Sequence, residues 1–372
     1  MSRRRRRLLS STAINVVLDG ELPSYVTFTR ASSGTYFDSA GVLQTATTNE
    51  ARNHYLQDGS GLNGLLIEEA RTNILLYSEQ FDDATWAGNT ATITANSVAA
   101  PDGTLTADTA TFTGTQLVRQ TVTGLTNPTT LAPSIFIRAA AATTVNIRQG
   151  NTAAGFEAKA VTTSWQRIEA TVGSNASTSF NFDVQGTDTE VYIWGGQLEA
   201  GSYATSYSAT TSASVTRAAD VASIDLTAVS WFNATEGALY VDATLTAARS
   251  FAPYVVINDG SAVNRLLIYT SASTSVQGLA TVASAAVAAP TVTGVTTTDR
   301  TKAAFGYKVN DYNIAVNGGL GTLDTSGAIP TGLTDLFIGR NSGGTLYFGG
   351  IISNIRYYNT RLTDANLQVL TT

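Results

Sequence analysis

The pattern of apolar and polar positions along this 372-residue chain predicts short β-strands rather than helices. Between residues 64 and 220, several short runs alternate apolar and polar side chains, which is typical of a sheet with one buried face. Clusters of Gly, Pro, Asn and Asp separate the runs. The predicted strands lie at residues 135–138, 145–148, 164–168, 180–184 and 191–194. This region therefore predicts an antiparallel sandwich of jelly-roll type.

A second β-rich region begins near residue 225 and carries clear hairpin signals. Asp259-Gly260 lies between apolar runs at 255–257 and 266–268, and Asn310-Asp311 joins 305–309 to 312–316. These small residues adopt the left-handed conformations that tight turns require. Residues 277–298 are compatible with either strand or loop.

The C-terminal residues predict a short closing helix. Thr363 precedes it as an N-cap, and Leu367 and Leu370 are expected to be buried beneath it.

Residues 1–62 predict an extended arm with one small hairpin. Runs at 35–37 and 42–44 flank a turn in which Asp38 can bond its own backbone and Gly41 can take a positive φ. The apolar periodicity is too weak for this segment to hold itself together. The expected organisation is an arm (1–62), a jelly-roll sandwich (63–222) and a second sandwich (223–372), an all-β chain of two antiparallel β-sandwiches after an N-terminal arm.

The amino-acid composition supports the β-rich interpretation and excludes several kinds of functional site. Charged residues make up only 13% of the chain, and few Lys and Glu argue against exposed helical faces. The chain has no cysteine, which excludes disulfides, thiolate metal sites and cysteine nucleophiles.

Charge is distributed unevenly along the chain. The formal net charge is −6, and five arginines near the N-terminus contribute +5, so the remainder carries −6 − 5 = −11. Such asymmetry indicates an interaction tail. The predicted partner-docking residues are Arg3, Arg4, Arg5, Arg6 and Arg7. An acidic socket on a neighbouring protein is favoured over DNA, because no broad basic face exists for nucleic acid; a solvated tail is the other alternative.

The residues that follow the arginines argue against export and membrane insertion. Polar residues at 10–12, Asn15 and Asp19 interrupt the apolar stretch, so neither an export signal nor a membrane anchor is expected.

No catalytic residue, cofactor site or metal site is predicted. His54 is the only histidine, and no nucleophile-elbow motif accompanies it. Glu68-Glu69 and Asp82-Asp83 are sequence neighbours, so on a strand the members of each pair point to opposite faces and cannot flank a glycosidic bond. Asp183 and Glu199 are the other candidate carboxylates for such a pair.

The four tryptophans allow two interpretations. An aromatic face can stack on a sugar ring, but core packing is expected for those in strand-like runs. They are Trp86, Trp165, Trp194 and Trp231.

Two phrases resemble the head-spike, fibre and tail-appendage proteins of tailed bacteriophages. They are Gly-Leu-Leu-Ile-Glu-Glu-Ala-Arg-Thr-Asn at 64–73 and Tyr-Ile-Trp-Gly-Gly-Gln-Leu-Glu-Ala-Gly at 192–201. The resemblance extends through 28–43, 205–207 and 216–220. It implies a virion surface protein and a jelly-roll module like those that bind carbohydrate. Residues 336–370 are similar to the end of concanavalin-A-like or laminin-G-like sandwiches.

The resemblance also bears on metal and partners. Similar sugar-binding modules often hold a structural calcium, for which Asp82 or Asp83 could serve, but Trp194-Gly195-Gly196 stands where paired aspartates are often found. The expected protein is a non-enzymatic spike, fibre or tail-appendage subunit of the virion that docks through its arm and adheres to host glycans. Appendages of this kind are commonly homotrimers, so a homo-oligomer is expected. The alternatives are a non-adhesive decoration protein and a polysaccharide depolymerase.

Overall fold

The computed structural model describes residues 13–57, 63–126, 129–148, 155–170, 174–175 and 177–372. The docking arginines at 3–7 lie outside this range. The described part is all-β, as predicted, and its strand pairs are antiparallel. No helix within it is long and apolar enough to cross a membrane.

The strands of the N-terminal half are β1 (Ile14–Leu18), β2 (Thr27–Thr29), β3 (Gly34–Phe37), β4 (Leu43–Ala46), β5 (Asn53–His54), β6 (Gly64–Ile67), β7 (Arg71–Asn73), β8 (Thr92–Val98), β9 (Ala107–Thr123), β10 (Thr129–Arg138), β11 (Thr143–Arg148), β12 (Phe156–Val161), β13 (Gln166–Glu169), β14 (Ser174–Asn175) and β15 (Ser179–Ala200).

The C-terminal half contains β16 (Val215–Arg217), β17 (Val221–Asp225), β18 (Glu236–Leu245), β19 (Pro253–Asn258), β20 (Arg265–Ala272), β21 (Ser275–Val282), β22 (Ala285–Ala288), β23 (Thr291–Thr293), β24 (Thr301–Lys308), β25 (Asp311–Val316), β26 (Gly319–Leu320), β27 (Asp335–Ile338), β28 (Gly350–Tyr358) and helix α1 (Asp364–Thr371).

Strands β8–β15 form the N-terminal sandwich from one continuous antiparallel sheet. Strand β15 lies beside β9 over residues 179–193, and its other edge pairs first with β11 and then with β10. A bulge between Thr187 and Thr189 interrupts the β9 pairing, which lets so long a strand bend. Side chains from both halves of β15, among them Phe182 and Ile193, join a single buried cluster. The sheet therefore curls around one core.

The C-terminal sandwich consists of two sheets. Sheet I has the order β26-β25-β24-β18-β28, with β1 and β6 end to end along β28 and β5 beside β6. Sheet II has the order β2-β17-β27-β19-β20-β21-β22, with β23 also beside β21. One buried cluster joins the two, with Leu239 and Phe305 from sheet I and Ile257 and Ile268 from sheet II. Burial of each such side chain contributes about 1.5–3 kcal/mol.

The sheets do not follow the predicted boundaries at residues 62 and 222. Strands β1, β2, β5 and β6 belong to the C-terminal sandwich, although their residues were assigned to an arm and to the start of the jelly roll. Val16 and Val17 are fully buried in its core. A strand of five residues with a bulge after Asn15 is too short to show periodicity, so the sequence pattern missed it.

Several local predictions match the structure. The hairpin around Asp38 is present as β3–β4, where the Asp38 carboxylate accepts bonds from the Ala40 and Val42 amides. Strands β19–β20 and β24–β25 form the other two predicted hairpins. The Thr363 hydroxyl accepts a bond from the Asn366 amide at the start of α1, and Leu367 is buried against the outer face of sheet I.

Candidate functional site

An apolar row crosses the outer face of sheet II, on the side that faces away from the core. Phe337 of β27, Val256 of β19, Leu267 of β20 and Leu279 of β21 are register partners across four adjacent strands. They form a small cluster of their own, separate from the core between the sheets. At a strand spacing of about 4.8 Å the row extends roughly 14 Å. Val256, Leu267 and Leu279 of this row form the floor of a groove.

Aromatic side chains stand at one side of this floor. Tyr269 follows Leu267 by two residues on β20 and so projects from the same face. The Phe251 ring lies nearly parallel to it, with centroids 6.3 Å apart and planes 21° apart. Phe251 is 56% exposed, so a large apolar ring faces solvent here. With Leu346 on the rim, these residues enclose a cavity of about 110 Å³.

The backbone holds Phe251 in an unusual conformation. Its φ is +61°, a region that bulky side chains rarely occupy. The Phe251 amide donates to the Thr270 carbonyl at 2.6 Å, and the Ala252 amide donates to the Thr270 hydroxyl at 2.9 Å. Backbone strain of this kind is concentrated at functional positions.

The loop after β27 forms the opposite rim and is tightly bonded. The Asn341 side-chain oxygen accepts bonds from the amides of Thr345 and Leu346, at 3.0 and 3.1 Å. The Arg340 guanidinium donates to the carbonyls of Asn341 and Ser342 and lies 5.2 Å from the Phe337 ring centroid. Groove-facing polar groups of this loop are therefore fixed before any ligand arrives.

Polar side chains complete the groove. Gln277 is the register partner of Tyr269 and accepts a hydrogen bond from its hydroxyl. Burial raises the pKa of Tyr269, and the nearby positive charge of Arg265 acts in the opposite direction. Arg265 lines the groove beside Leu267. The site thus combines an apolar floor, one exposed and one partly buried aromatic ring and a few convergent polar groups, as small-ligand sites commonly do.

The sequence did not single out this groove. Strand β20 reads Arg-Leu-Leu-Ile-Tyr, in which the outward Leu267 sits between two inward apolar residues and hides the alternation. The aromatic residues for which the sequence analysis considered sugar stacking were the four tryptophans. Trp86 and Trp194 are buried, as expected for core residues, while Trp165 and Trp231 are partly buried against apolar clusters.

Residues from the segments 28–43, 64–73 and 216–220 meet Arg52 in a buried ion cluster, which we call the junction cluster: Arg30, Arg52, Glu68, Arg217 and Asp220. Arg52 bonds to both carboxylates, and Arg30 pairs with Asp220 at 3.2 Å. Arg217 lies 3.5 Å from Glu68. All five residues are at most 3% exposed.

The pKa of Glu68 shows that the junction cluster stabilises the ionised form of its carboxylate. Burial alone raises the pKa of a carboxyl, but Arg217, Arg52 and two hydrogen bonds from Ser206 hold the pKa of Glu68 well below its ordinary value. The Glu68 amide also donates to Asp220 at 2.9 Å. The junction cluster therefore holds together the chain segments that flank β2, β5, β6 and β17.

The remaining candidates are occupied by structural roles. Asp83 caps a 3₁₀ turn through the Thr85 amide, while Asp82 is exposed. Asp183 is buried between the guanidinium groups of Arg119 and Arg148. Glu199 accepts bonds from the Thr205 amide and hydroxyl, and burial raises its pKa. No group of three or more His, Asp or Glu side chains in the described ranges is arranged to hold a metal.

His54 is a neighbour of the junction cluster. Its Nδ1 accepts a bond from the Phe37 amide at 3.2 Å. Burial lowers the pKa of His54 to about 4. The negative charge of Glu68 acts in the opposite direction, and the positive charge of Arg52 lowers the pKa further. The imidazole is therefore neutral near pH 7 and acts as an acceptor within the structure.

Comparisons with known proteins find no matching family profile and no matching curated protein. Among solved structures, the CBM40 domain of the Ruminococcus gnavus IT-sialidase, bound to α2,3-sialyllactose, is 16% identical with a TM-score of 0.33; the match covers 37% of this chain and 83% of that chain.

Two further structures are similar at the same level. Domain 4 of the Geobacillus stearothermophilus arabinanase AbnA, in complex with arabinotriose, is 11% identical (TM-score 0.33), covering 45% of this chain and 82% of that one. The Streptococcus pneumoniae NanB sialidase is 13% identical (TM-score 0.34), covering 40% and 26% respectively. Similarity this low assigns neither a ligand nor an activity to this chain.

Proposed function

We propose that this chain is a non-enzymatic surface subunit of a tailed-bacteriophage virion that binds a host-surface glycan in the groove of sheet II. The observation that carries the binding proposal is the exposed, strained Phe251 stacked with Tyr269 above an apolar floor. The virion assignment is supported by the phrases at 64–73 and 192–201 and by the basic N-terminal segment.

The chemistry of the groove suits a sugar better than a purely apolar ligand. A pyranose ring has one apolar face that stacks on aromatic carbon, while its hydroxyl groups need hydrogen-bonding partners at the edge. Phe251 and Tyr269 offer the aromatic surface, and Ser342 lines the groove beside them. The floor residues that line the groove, Val256, Leu267 and Leu279, span two strand spacings or about 10 Å.

The position of the groove also suits an attached subunit. The described chain begins at Ala13, which packs against the cluster on the outer face of sheet I. The groove lies on the outer face of sheet II. The two outer faces of a sandwich point in opposite directions. A partner that binds the basic segment from the side of sheet I therefore leaves the groove free.

The non-enzymatic part of the proposal is supported by what the candidate carboxylates do. Asp183 and Glu199 are each bonded to neighbouring groups of the N-terminal sandwich, and Asp83 is a capping residue. None of them lines the groove.

Glycan-array binding followed by calorimetry on the full chain tests the binding proposal. Tyr269→Ala and Phe251→Ala are expected to weaken the binding of any glycan that the unmodified chain binds by at least tenfold. Tyr192→Ala removes a matched, partly buried aromatic residue on the N-terminal sandwich and is expected to leave binding unchanged.

Other results point to the rival functions. Absence of glycan binding by the folded chain would contradict adhesion and favour a decoration protein. Release of reducing ends from capsule or lipopolysaccharide would instead identify a depolymerase. Absence of the chain from purified particles would contradict the virion assignment.

A further inference from the structure

The fourteen arginines of the described ranges differ in how their charge is balanced. Eight have a carboxylate oxygen within 4.0 Å. They are Arg30, Arg52, Arg71, Arg119, Arg148, Arg217, Arg300 and Arg361. These side chains are used by the fold, because a paired guanidinium has its charge and its donors satisfied internally.

Five of the other six are held by aromatic rings, most of them with a further bond. Arg138 lies over Trp165 and Tyr192, and Arg356 lies over Tyr240. The remaining three combine a ring with a backbone carbonyl. They are Arg167, Arg249 and Arg340.

Arg265 is the exception among the described arginines. Its one hydrogen bond within the described ranges runs from Nε to the Thr281 hydroxyl at 3.4 Å, and no carboxylate oxygen there lies within 4.0 Å. No aromatic ring of the described ranges lies beneath its guanidinium. Among the described arginines, Arg265 alone lines the groove. An unbalanced guanidinium thus stands beside an apolar floor and two aromatic rings.

The acidic groups nearest along the strands are already occupied. Asp335 is separated from Arg265 by Asn258 in the register, a distance of two strand spacings or about 10 Å, and it accepts a bond from Thr334. Asp259 accepts bonds from Ser261 and Asn264 in its turn. The charge of Arg265 therefore remains available to a ligand.

We propose that the groove takes a glycan bearing a carboxylate, and that Arg265 pairs with that carboxylate while the sugar stacks on Phe251 and Tyr269. This inference rests on the proposed function and adds the chemical class of the ligand. The planar guanidinium fork matches a carboxylate with two parallel hydrogen bonds. The chain as a whole carries a net charge of −6 and repels anions, so recognition of an acidic glycan depends on this local cation.

The test compares two forms of one polymer on the full chain: oligosaccharides of a uronic acid and the same oligosaccharides after reduction of their carboxylates to alcohols. The unmodified chain is expected to bind the uronic-acid form about 10- to 100-fold more tightly, the range of a charge-assisted hydrogen-bonded pair. Arg265→Gln is expected to abolish this preference and Arg265→Lys to restore part of it. Arg138→Gln, which removes an arginine without a carboxylate partner on the N-terminal sandwich, is the matched control.

The outcomes separate this inference from the function on which it rests. Equal binding of both forms, still lost in Tyr269→Ala, would overturn the acidic class and leave glycan binding intact. Stronger binding of sulfated oligosaccharides than of uronic-acid ones would overturn the carboxylate assignment. Failure of every glycan to bind would overturn the proposed function itself. Thermal unfolding of each variant verifies that the sandwich remains folded.

Discussion

At the scale of single residues, Phe251 shows a local conflict between backbone and side chain. A left-handed conformation costs a non-glycine residue about 1–2 kcal/mol. Glycine at this position removes that cost and the ring together. We therefore expect Phe251→Gly to leave the free energy of unfolding unchanged within about 1 kcal/mol, while it abolishes glycan binding. Urea denaturation and calorimetry measure the two effects.

Phe251→Ala is the companion variant, because it removes the ring and keeps the strained φ. It is expected to be less stable than Phe251→Gly. If glycine destabilises the chain by several kcal/mol, the ring serves the fold and not a ligand, and the assignment of the groove loses its main support.

The junction cluster makes a different prediction at the residue scale. Arg52→Met removes the arginine that bonds directly to both Glu68 and Asp220 in a buried environment, and leaves them only the longer contacts with Arg217 and the pairing of Asp220 with Arg30. Breaking a buried ion pair from one side typically costs 3–5 kcal/mol. We expect a loss of this size in chemical denaturation. Lys308→Met, which removes the half-exposed partner of Glu236 at 3.6 Å, should cost less than about 1 kcal/mol.

His54 predicts the pH dependence of stability. Its pKa in the folded chain is about 4, below the ordinary 6.5, so the unfolded chain binds more protons between these values. The contribution of His54 is complete above pH 6.5 and is lost as the pH falls toward 4, up to roughly 3 kcal/mol. His54→Asn retains an acceptor for the Phe37 amide and should flatten this part of the curve. An unchanged slope would contradict the assignment.

At the scale of elements, the sequence predicted those strands whose local pattern was complete. A few neighbouring residues are enough to predict a turn or a helix cap, as they do at Asp38, Asp259, Asn310 and Thr363. Strands β1, β2, β5 and β6 are short. Long-range pairing of β1 and β6 with β28 and of β2 with β17 determines where they belong, and β5 follows through its pairing with β6. No local pattern contains that information.

The candidate site was missed for a related reason. Its apolar row is assembled by register across β27, β19, β20 and β21, from residues between 256 and 337. Its exposed ring comes from a strained residue outside any strand. A periodicity argument treats each strand separately, so it cannot place these side chains side by side.

A testable prediction about single elements concerns strand β1 and its place in the core. Val17 is fully buried between the sheets, whereas Leu18 is 40% exposed. We expect Val17→Asp to destabilise the C-terminal sandwich by several kcal/mol, because it places a charge in an apolar core. Leu18→Asp introduces the same charge at the next residue and should change stability by less than about 0.5 kcal/mol. Equal effects on denaturation midpoints would show that β1 does not contribute to the core.

At the scale of the whole molecule, the proposed function places attachment and glycan binding on different faces of one sandwich. Strand β1 anchors the N-terminal segment to sheet I, and the groove lies on the outer face of sheet II. Because β1 is part of the core, we restrict the proposed docking segment to the residues before Ala13, which makes it shorter than the predicted arm. The predicted homo-oligomer stays a prediction.

This arrangement predicts that the two functions can be separated by truncation. Deleting residues 1–12 removes all five N-terminal arginines but no described strand, so the chain should keep its thermal stability and its glycan affinity. Incorporation into particles, measured by immunoblot of purified virions, should fall at least tenfold, because the cationic segment that pairs with an acidic socket is gone. Replacing the five arginines by lysine keeps the charge and loses the bidentate geometry, and should reduce incorporation less. Undiminished incorporation of the truncated chain would contradict docking through the N-terminal arginines.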